Sequence, residues 1–355
     1  MSTRQSLAQR TSVIIVAYNS GPFLRECIAS IRRTQPDVEI VVVDNASTDD
    51  TAAQAKTEFP SITIAQNEKN AGFGAGCNLG TASTNREFLV FINPDASVLE
   101  GWLEALARPL EKDRSIGLVT PKVMLRADPT RINVAGLNVH LSGISMCRGL
   151  GLPETALTEQ AEVASISGVA FAARRKVFES VGGFDEDFFL YMEDVDLSLR
   201  VWLAGYRCLY VPDAVILHDY DKVEVSTQKT FWVERGRYLM LLKAFSHQTL
   251  LKLLPTLLMV EIITLGWVVW RNPRALGQKL RAWRWIMTHR REIAKKRLLV
   301  ERCRAASDAA FLNRCTIEMA FDQLAGPKVA RAADWVMGRP LRIAGSILRL
   351  SSLHG

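Results

Sequence analysis

The chain has 355 residues, 48% hydrophobic and 23% charged, a composition that excludes a disordered or collagen-like chain and leaves room for two units with real cores. Its net charge of +7 is split: from Gln248 onward 19 Lys+Arg face 7 Asp+Glu, net +12, so the preceding residues carry −5. An acidic front and a basic back call for different partners, with anionic lipid or nucleic acid as candidates for the back. The six cysteines (27, 77, 147, 208, 303 and 315) include no C-x2-C or C-x4-C pair. That spacing argues against structural zinc and a disulfide framework, and for reduced thiols in a cytosolic setting. Met1 to Arg10 is polar and lacks an apolar h-region, so no secretory signal is expected.

From Thr11 strand and helix patterns alternate. Ser12–Tyr18 is a β-branched apolar run that predicts a buried strand, and Asn19-Ser20-Gly21-Pro22 ends it and opens a helix. Phe23, Leu24, Cys27, Ile28 and Ile31 form that helix's apolar face. Glu39–Asp44 reads as a second buried strand, followed by the polar turn and helix N-cap of Asn45–Asp50. Ile62–Ile64 and Phe88–Ile92 are the third and fourth strands. Such alternation, with runs apolar on both faces, predicts a parallel sheet covered by helices. Ligands bind such sheets at the carboxyl ends of the strands. The residues to watch are therefore Ala17-Tyr18-Asn19, Asp44-Asn45 and Asn93-Pro94-Asp95.

Asn70–Gly80 imitates G-x-G-x-x-G imperfectly and is not a dinucleotide fingerprint. Its glycines let backbone approach a ligand ahead of a helix N-terminus, which favours phosphate. Residues 126–162 read as irregular, a flap on the acceptor side. Ala164–Phe171 reads as a strand in which Gly168 lets substrate pass close to the backbone. Asp185–Arg200 then places six carboxylates in sixteen residues, interleaved with Phe188, Phe189, Leu190, Tyr191, Met192, Leu197 and Leu199. Acids set in apolar bulk can sit in a partly dry cleft and act as bases; the alternative is an amphipathic helix whose acids face water. Tyr206–Val211 and Val215–His218 close this half.

Taken in order, Val16-Ala17-Tyr18-Asn19, Val43–Asp49, Asn70-Ala71-Gly72-Phe73 with Asn78, Asn93-Pro94-Asp95, Gly182–Glu186, Glu193–Leu197 with Arg200, and His218 resemble the inverting family-2 glycosyltransferases, rhamnosyltransferase-like branch. The resemblance spans about residues 11 to 245. It implies an α/β GT-A fold, Rossmann-like, for residues 1–247 and an enzyme of cell-surface polysaccharide synthesis. That enzyme would move rhamnose or another deoxyhexose from a dTDP- or UDP-sugar to a lipid-linked glycan. By the same resemblance Asp44 contacts the base beside Ala17, Tyr18, Asn19 and Asn45. Asn70, Gly72, Phe73 and Asn78 shape the donor site together with Asn93. Asp95 and His218 hold Mg²⁺ or Mn²⁺, and Asp194 is the catalytic base, with Glu193 its rival. Asn93 replaces the first Asp of the family's D-x-D, which removes one charge from the metal site. His218 read by itself is also compatible with a hydrogen-bonded core histidine. Asp196 and Arg200 are spaced for a helix-stiffening pair, and Arg235 and Arg237 for a phosphate contact or an exposed helix face.

Residues 248–355 form an apolar and basic helical region. Leu253–Trp270 is eighteen residues with one charge, Glu261, and Arg271–Arg304 holds twelve Lys+Arg against two acids. With Trp267, Trp270, Trp283 and Trp285 nearby, the pattern is that of a protein lying on the anionic inner face of the cell membrane. A helical subdomain packed on the catalytic unit is the alternative. No zinc, helix-turn-helix or RNP-like signature supports nucleic acid as a partner. A non-catalytic nucleotide-binding protein is the rival function, and convergence of Asp95, Asp194 and His218 beside Asp44 is what separates the two. The oligomeric state stays open.

Overall fold

The computed structural model describes residues 5–220, 227–320 and 323. The chain divides into two compact units: Met1–Leu137 with Cys147–Val201 and Tyr206–Lys222, and Asn138–Met146 with Trp202–Gly205 and Val223–Gly355. Most of the region expected beyond residue 320 lies outside the described residues.

The first unit begins β1 (Thr11–Ala17), α1 (Gly21–Thr34), β2 (Glu39–Asp44), α2 (Thr51–Glu58), β3 (Thr63–Gln66), α3 (Phe73–Ala82) and β4 (Phe88–Ile92). All seven residues of β1 are buried, as a strand covered on both faces requires. Proline at the start of α1 presets its first turn, and Leu24, Cys27, Ile28 and Ile31 turn inward. Phe23, expected on that face, is exposed, because it lies one helical step outside the stripe. β5 (Ala96–Val98), α4 (Trp102–Lys112), β6 (Ile116–Leu125) and β7 (Asp128–Val134) continue the chain. After these come β8 (Leu137–Val139), β9 (Ser145–Cys147), β10 (Ala161–Glu162), β11 (Ala170–Arg174), α5 (Arg175–Ser180), α6 (Glu193–Leu203) and β12 (Arg207–His218).

The main sheet runs β10-β12-β6-β11-β4-β1-β2-β3, with β5 on β12 and β7 on β6. β1, β2, β3 and β4 are mutually parallel, and β11 is antiparallel to both β4 and β6. Chain order thus reverses about β1, and the ends of β1, β2 and β4 open on one crevice. Beneath it lies the core of Val13, Ile15, Val42, Phe88, Val90, Trp102 and Leu106. Trp102, fully buried, satisfies its indole by donating to Thr34 Oγ1 at 3.0 Å.

Two expectations change here. Residues 126–162 are not an irregular flap: they contain β7, which pairs with the adjacent β6, the β8–β9 pair, and β10, which pairs with the distant β12. The strand expected at Ala164–Phe171 starts instead at Ala170, because Gly168 turns its amide toward a side chain.

The second unit contains α7 (Thr227–Ala244), α8 (His247–Arg271), α9 (Leu276–Thr288), α10 (Arg290–Cys303) and α11 (Ala309–Leu312). α7 packs against α9 and α10, so it belongs with this unit rather than before a boundary at 247. Ser246 caps α8 by accepting from the Thr249 amide. Arg237, Glu234, Glu261 and Lys279 form a buried cluster: Arg237 Nη2 reaches Glu234 and Glu261 at 2.7 Å, and Lys279 Nζ reaches both acids at 2.7 Å. Arg237 is therefore neither an exposed helix residue nor a spare phosphate ligand; its charge is spent on two carboxylates. Arg235 lies over the rings of Phe231 and Trp285.

Candidate active site

The crevice is assembled by sheet register. Ala17 pairs with Asp44 across β1 and β2, which sets Tyr18-Asn19 beside Asn45. Asp44 is buried and its Oδ1 accepts from the Ser47 amide at 2.9 Å, so the β2 turn fixes its carboxylate. Asn19 takes a left-handed conformation (φ 50), and its Oδ1 accepts from the Thr48 amide at 2.8 Å. Tyr18 is 47% exposed at the mouth. These side chains form a small polar shelf with one fixed carboxylate and one available aromatic ring.

Asn45 builds the wall rather than offering polar atoms to a ligand. Its Nδ2 donates to Asn70 Oδ1 (3.0 Å) and Gly72 O (3.2 Å), while its Oδ1 accepts from Asn67 Nδ2 (2.9 Å) and the Ala71 amide (3.1 Å). Both donors and both acceptors are engaged, so Asn45 shapes the 67–72 loop. Asn78 does similar work from α3: it donates to Phe184 O at 2.9 Å and accepts from the Phe184 amide at 2.9 Å. Gly72 (φ 89) lies against the carbonyl of Phe189, and the Phe73 amide donates to that carbonyl at 2.9 Å. A side chain at 72 would collide with that backbone. The glycine-rich loop is thus joined directly to the acidic segment.

That segment is unusual. Phe189 (φ 34), Tyr191 (φ 66) and Met192 (φ 72) all take positive φ just before α6 begins at Glu193. Non-glycine residues in this region cost about 1 kcal/mol or more each and persist where surrounding structure holds them. The first turn of α6 carries the acid pair. Asp194 Oδ2 accepts from the Gly168 amide at 2.9 Å and Oδ1 from the Val195 amide at 2.8 Å. Burial pushes Asp194 up to about 6, against the pull of those two amides. Glu193 is held well above its ordinary value, by burial first and by the Asp194 charge second. Its Oε2 is buried without a hydrogen bond among the described residues. Asp196 is spent on Arg200, paired at 2.9 Å as the i,i+4 spacing predicted. Both carboxyls are raised, Asp194 to about 6, while burial and the neighbouring charge disfavour ionisation of Glu193.

The third part is Asp95 with His218. β5 pairs antiparallel with β12, His218 opposite Ala96, which brings together residues far apart in sequence. His218 Nε2 lies 3.4 Å from Asp95 Oδ1, and that oxygen is buried without a hydrogen bond. On the other edge of the ring, His218 Nδ1 is 2.9 Å from Asn133 Oδ1. With Asn133 Oδ1 against Nδ1, Nε2 is the ring atom turned to Asp95. A carboxylate oxygen without a hydrogen bond beside an imidazole nitrogen is a fitting half-shell for a hard divalent ion. No group of three His, Cys, Asp or Glu side chains that could hold a metal occurs among the described residues, so other ligands would have to come from a bound anion and water.

Backbone hydrogen bonds connect these parts. The Asn93 amide donates to Val169 O at 2.9 Å, two residues before Asp95, and the next residue back from Val169 is Gly168, which holds Asp194. The Tyr191 phenol is raised by burial first, then by the charges of Glu193 and Tyr220, so the tyrosines flanking Asp194 and His218 in sequence feel one environment. The 93–95 turn and the first turn of α6 thus both bond to the Gly168–Val169 segment. Asn133 went unnoticed in the sequence; its only signal is a lone amide between the apolar Ile132 and Val134 in a strand. Gly168 was noticed, for a different role.

Comparison with known proteins bears on the family and the fold. Residues 12–182 match the family described as Glycosyl transferase family 2. An N-acetylglucosaminyl-diphospho-decaprenol L-rhamnosyltransferase of Mycobacterium tuberculosis is 29% identical over 232 residues, covering 58% of this chain and 75% of that protein. Among solved structures, S. aureus TarS 1-349 in complex with UDP-GlcNAc superposes with TM-score 0.56 at 19% identity, covering 85% of this chain and 89% of that one. GalNAc-T7 with UDP, GalNAc and Mn2+ gives TM-score 0.56 at 19% identity, covering 68% of this chain and 49% of that one. Residues 12–182 are thus similar to the glycosyltransferases of family 2, and the fold is the GT-A fold of these solved neighbours.

Proposed function

We propose that this protein transfers a sugar, rhamnose or another deoxyhexose, from a nucleotide-diphosphate donor to a hydroxyl of a lipid-linked glycan, inverting the anomeric carbon, in cell-surface polysaccharide synthesis. The observation that carries the catalytic reading is Asp194, tuned to about 6 and tied through Gly168 and Val169 to the Asp95–His218 pair. A half-buried carboxyl raised to about 6 suits proton transfer better than nucleotide binding alone. The sugar and acceptor are suggested by the mycobacterial relative, whose name specifies a lipid-diphosphate acceptor and L-rhamnose.

In this reading the uracil or thymine base rests on Tyr18 with Asp44 accepting from its ring N–H, and Asn45 and Asn78 hold the loop that covers the donor. Asp194 takes the proton of the acceptor hydroxyl. The acceptor oxygen bonds to the anomeric carbon while the opposite bond breaks, its electron pair leaving with the nucleoside diphosphate. Burial and the Asp194 charge raise the Glu193 carboxyl, which disfavours a second negative charge beside the base. Mg²⁺ or Mn²⁺, held by Asp95, His218 and diphosphate oxygens, would supply neutralisation of charge on the leaving group. Asn93 contributes a neutral neighbour where a second carboxylate would bind the ion more tightly.

The test is a panel of dTDP- and UDP-sugars offered with a polyprenyl-diphosphate N-acetylglucosamine acceptor, with and without Mg²⁺ or Mn²⁺. Metal-stimulated transfer from one donor is expected, with inverted product stereochemistry by NMR. Nucleotide binding without hydrolysis or transfer from any donor would return the protein to the non-catalytic class.

A further inference from the structure

The surface of α8 divides cleanly. Leu251, Leu254, Leu258, Ile262 and Val269 recur at helical spacing and are 45% to 73% exposed, whereas Leu253, Thr256 and Val260 on the opposite side are buried. Val260 packs with Met319, Ile144 and Ile263. The one charge in the apolar run, Glu261, is turned into the unit, where it meets Arg237 and Lys279 at 2.7 Å. Five large apolar side chains in one exposed stripe make a contiguous patch of the kind soluble proteins seldom leave uncovered.

The ends of the stripe say what covers it. Lys252 is exposed beside its first turn and Arg274 just past its last, and Arg281, Arg284, Arg290 and Arg291 on the following helices are exposed as well. Trp267 and Trp270 stack edge to face at 5.5 Å near the C-terminal end, with Trp270 largely open. A second copy laid on this stripe would bring basic ends against basic ends in either orientation. A bilayer with anionic headgroups accepts the apolar stripe, the interfacial tryptophans and the flanking cations together.

We propose that α8 is an in-plane anchor: its outer stripe sinks into the interface of an anionic membrane and its inner side stays packed on the helical unit. α8 is long and apolar enough to cross a bilayer by length and composition. Crossing would strip Leu253, Thr256 and Val260 of their packing and pull Glu261 from its cations, so the helix lies on the membrane instead. The protein is then peripheral, held at the surface where, on the proposed function, a lipid-linked acceptor is presented. The anchoring stands independently of the sugar chemistry, since no residue of the crevice takes part.

The experiment is co-sedimentation of the full chain with vesicles of equal phosphatidylglycerol and phosphatidylcholine, against phosphatidylcholine alone. Binding to the anionic vesicles, weakened by high salt and released by alkaline carbonate, is expected. Leu258→Gln and Ile262→Gln should each lower the partition coefficient about tenfold, with thermal melting and donor-nucleotide binding unchanged. Resistance to carbonate would make α8 a span and overturn the proposal. So would equal partitioning of the variants, or a loss of self-association in place of vesicle binding, which would assign the stripe to a second copy.

Discussion

Each unit buries a pair of acids, and the two pairs are opposites. In the helical unit Glu234 and Glu261 meet Arg237 and Lys279. Burial works against the Glu261 charge, yet hydrogen bonds from Lys279 and Tyr238 and the nearby cations hold its carboxyl below the ordinary value. In the sheet unit Glu193 and Asp194 are raised by burial, and what opposes it is backbone amide hydrogen bonding rather than a cation, while Arg200 on the same helix is committed to Asp196 and to Val181 O. The first pair is a structural fastening; the second, on the proposed function, is the reactive one. The amino-acid type is shared; the counter-charge decides which it becomes.

The comparison can be broken most sharply at its two centres. Asp194→Asn should lower kcat by about 10²- to 10⁴-fold while donor nucleotide still binds, measured by single-turnover transfer and calorimetry. The same change should raise Tm near pH 8. A carboxyl with a raised folded-state pKa stabilises the fold below its unfolded value and loses that contribution as pH rises through about 6. Near-normal turnover in this variant would remove Asp194 from catalysis. Lys279→Met leaves two carboxylates to share Arg237 and should cost about 3–5 kcal/mol in urea unfolding, without altering donor affinity of whatever remains folded.

Smaller effects sharpen the picture. Asn133→Leu removes the hydrogen-bond partner of His218 Nδ1 and should weaken Mn²⁺ binding about 10- to 100-fold by electron paramagnetic resonance, whereas Asn133→Asp should preserve it. The rate should climb as pH rises through about 6, because the ionised Asp194 is the working form; a bell centred below 5 would contradict the environment described. Smallest of all, Glu193→Gln copies the protonated acid in shape and should change kcat only a few-fold; a loss as deep as that of Asp194→Asn would move the base to 193.

The first four strands and the residues at their ends were legible because a buried parallel strand is a local signal: Val13-Ile14-Ile15-Val16 and Ile40-Val41-Val42-Val43 announce themselves. Asp95 with His218 was legible only through family resemblance. What joins them is the β5–β12 register, a property of two segments far apart in the chain. Asn133 was illegible for the same reason, as its partner lies on another strand's end. Residues 126–162 looked irregular because β8, β9 and β10 are only two or three residues long and the exposed start of β7 is polar, too little for an apolar period to show. The roles of Asn45 and Asn78 as loop braces could be found only by counting the hydrogen bonds each makes. Arg237 misled because a charge in an amphipathic helix looks exposed until its acids are located.

The turn Phe189–Met192 bears on how this protein can be improved. Glycine at 191 or 192 would relieve the left-handed backbone there, and routine stabilisation would favour it. The same relief would let the start of α6 wander, and with it the carboxylate aimed at the acceptor. Directed evolution for heat tolerance should therefore accumulate glycines in this turn at the expense of turnover. Selection for speed should keep the awkward side chains in place.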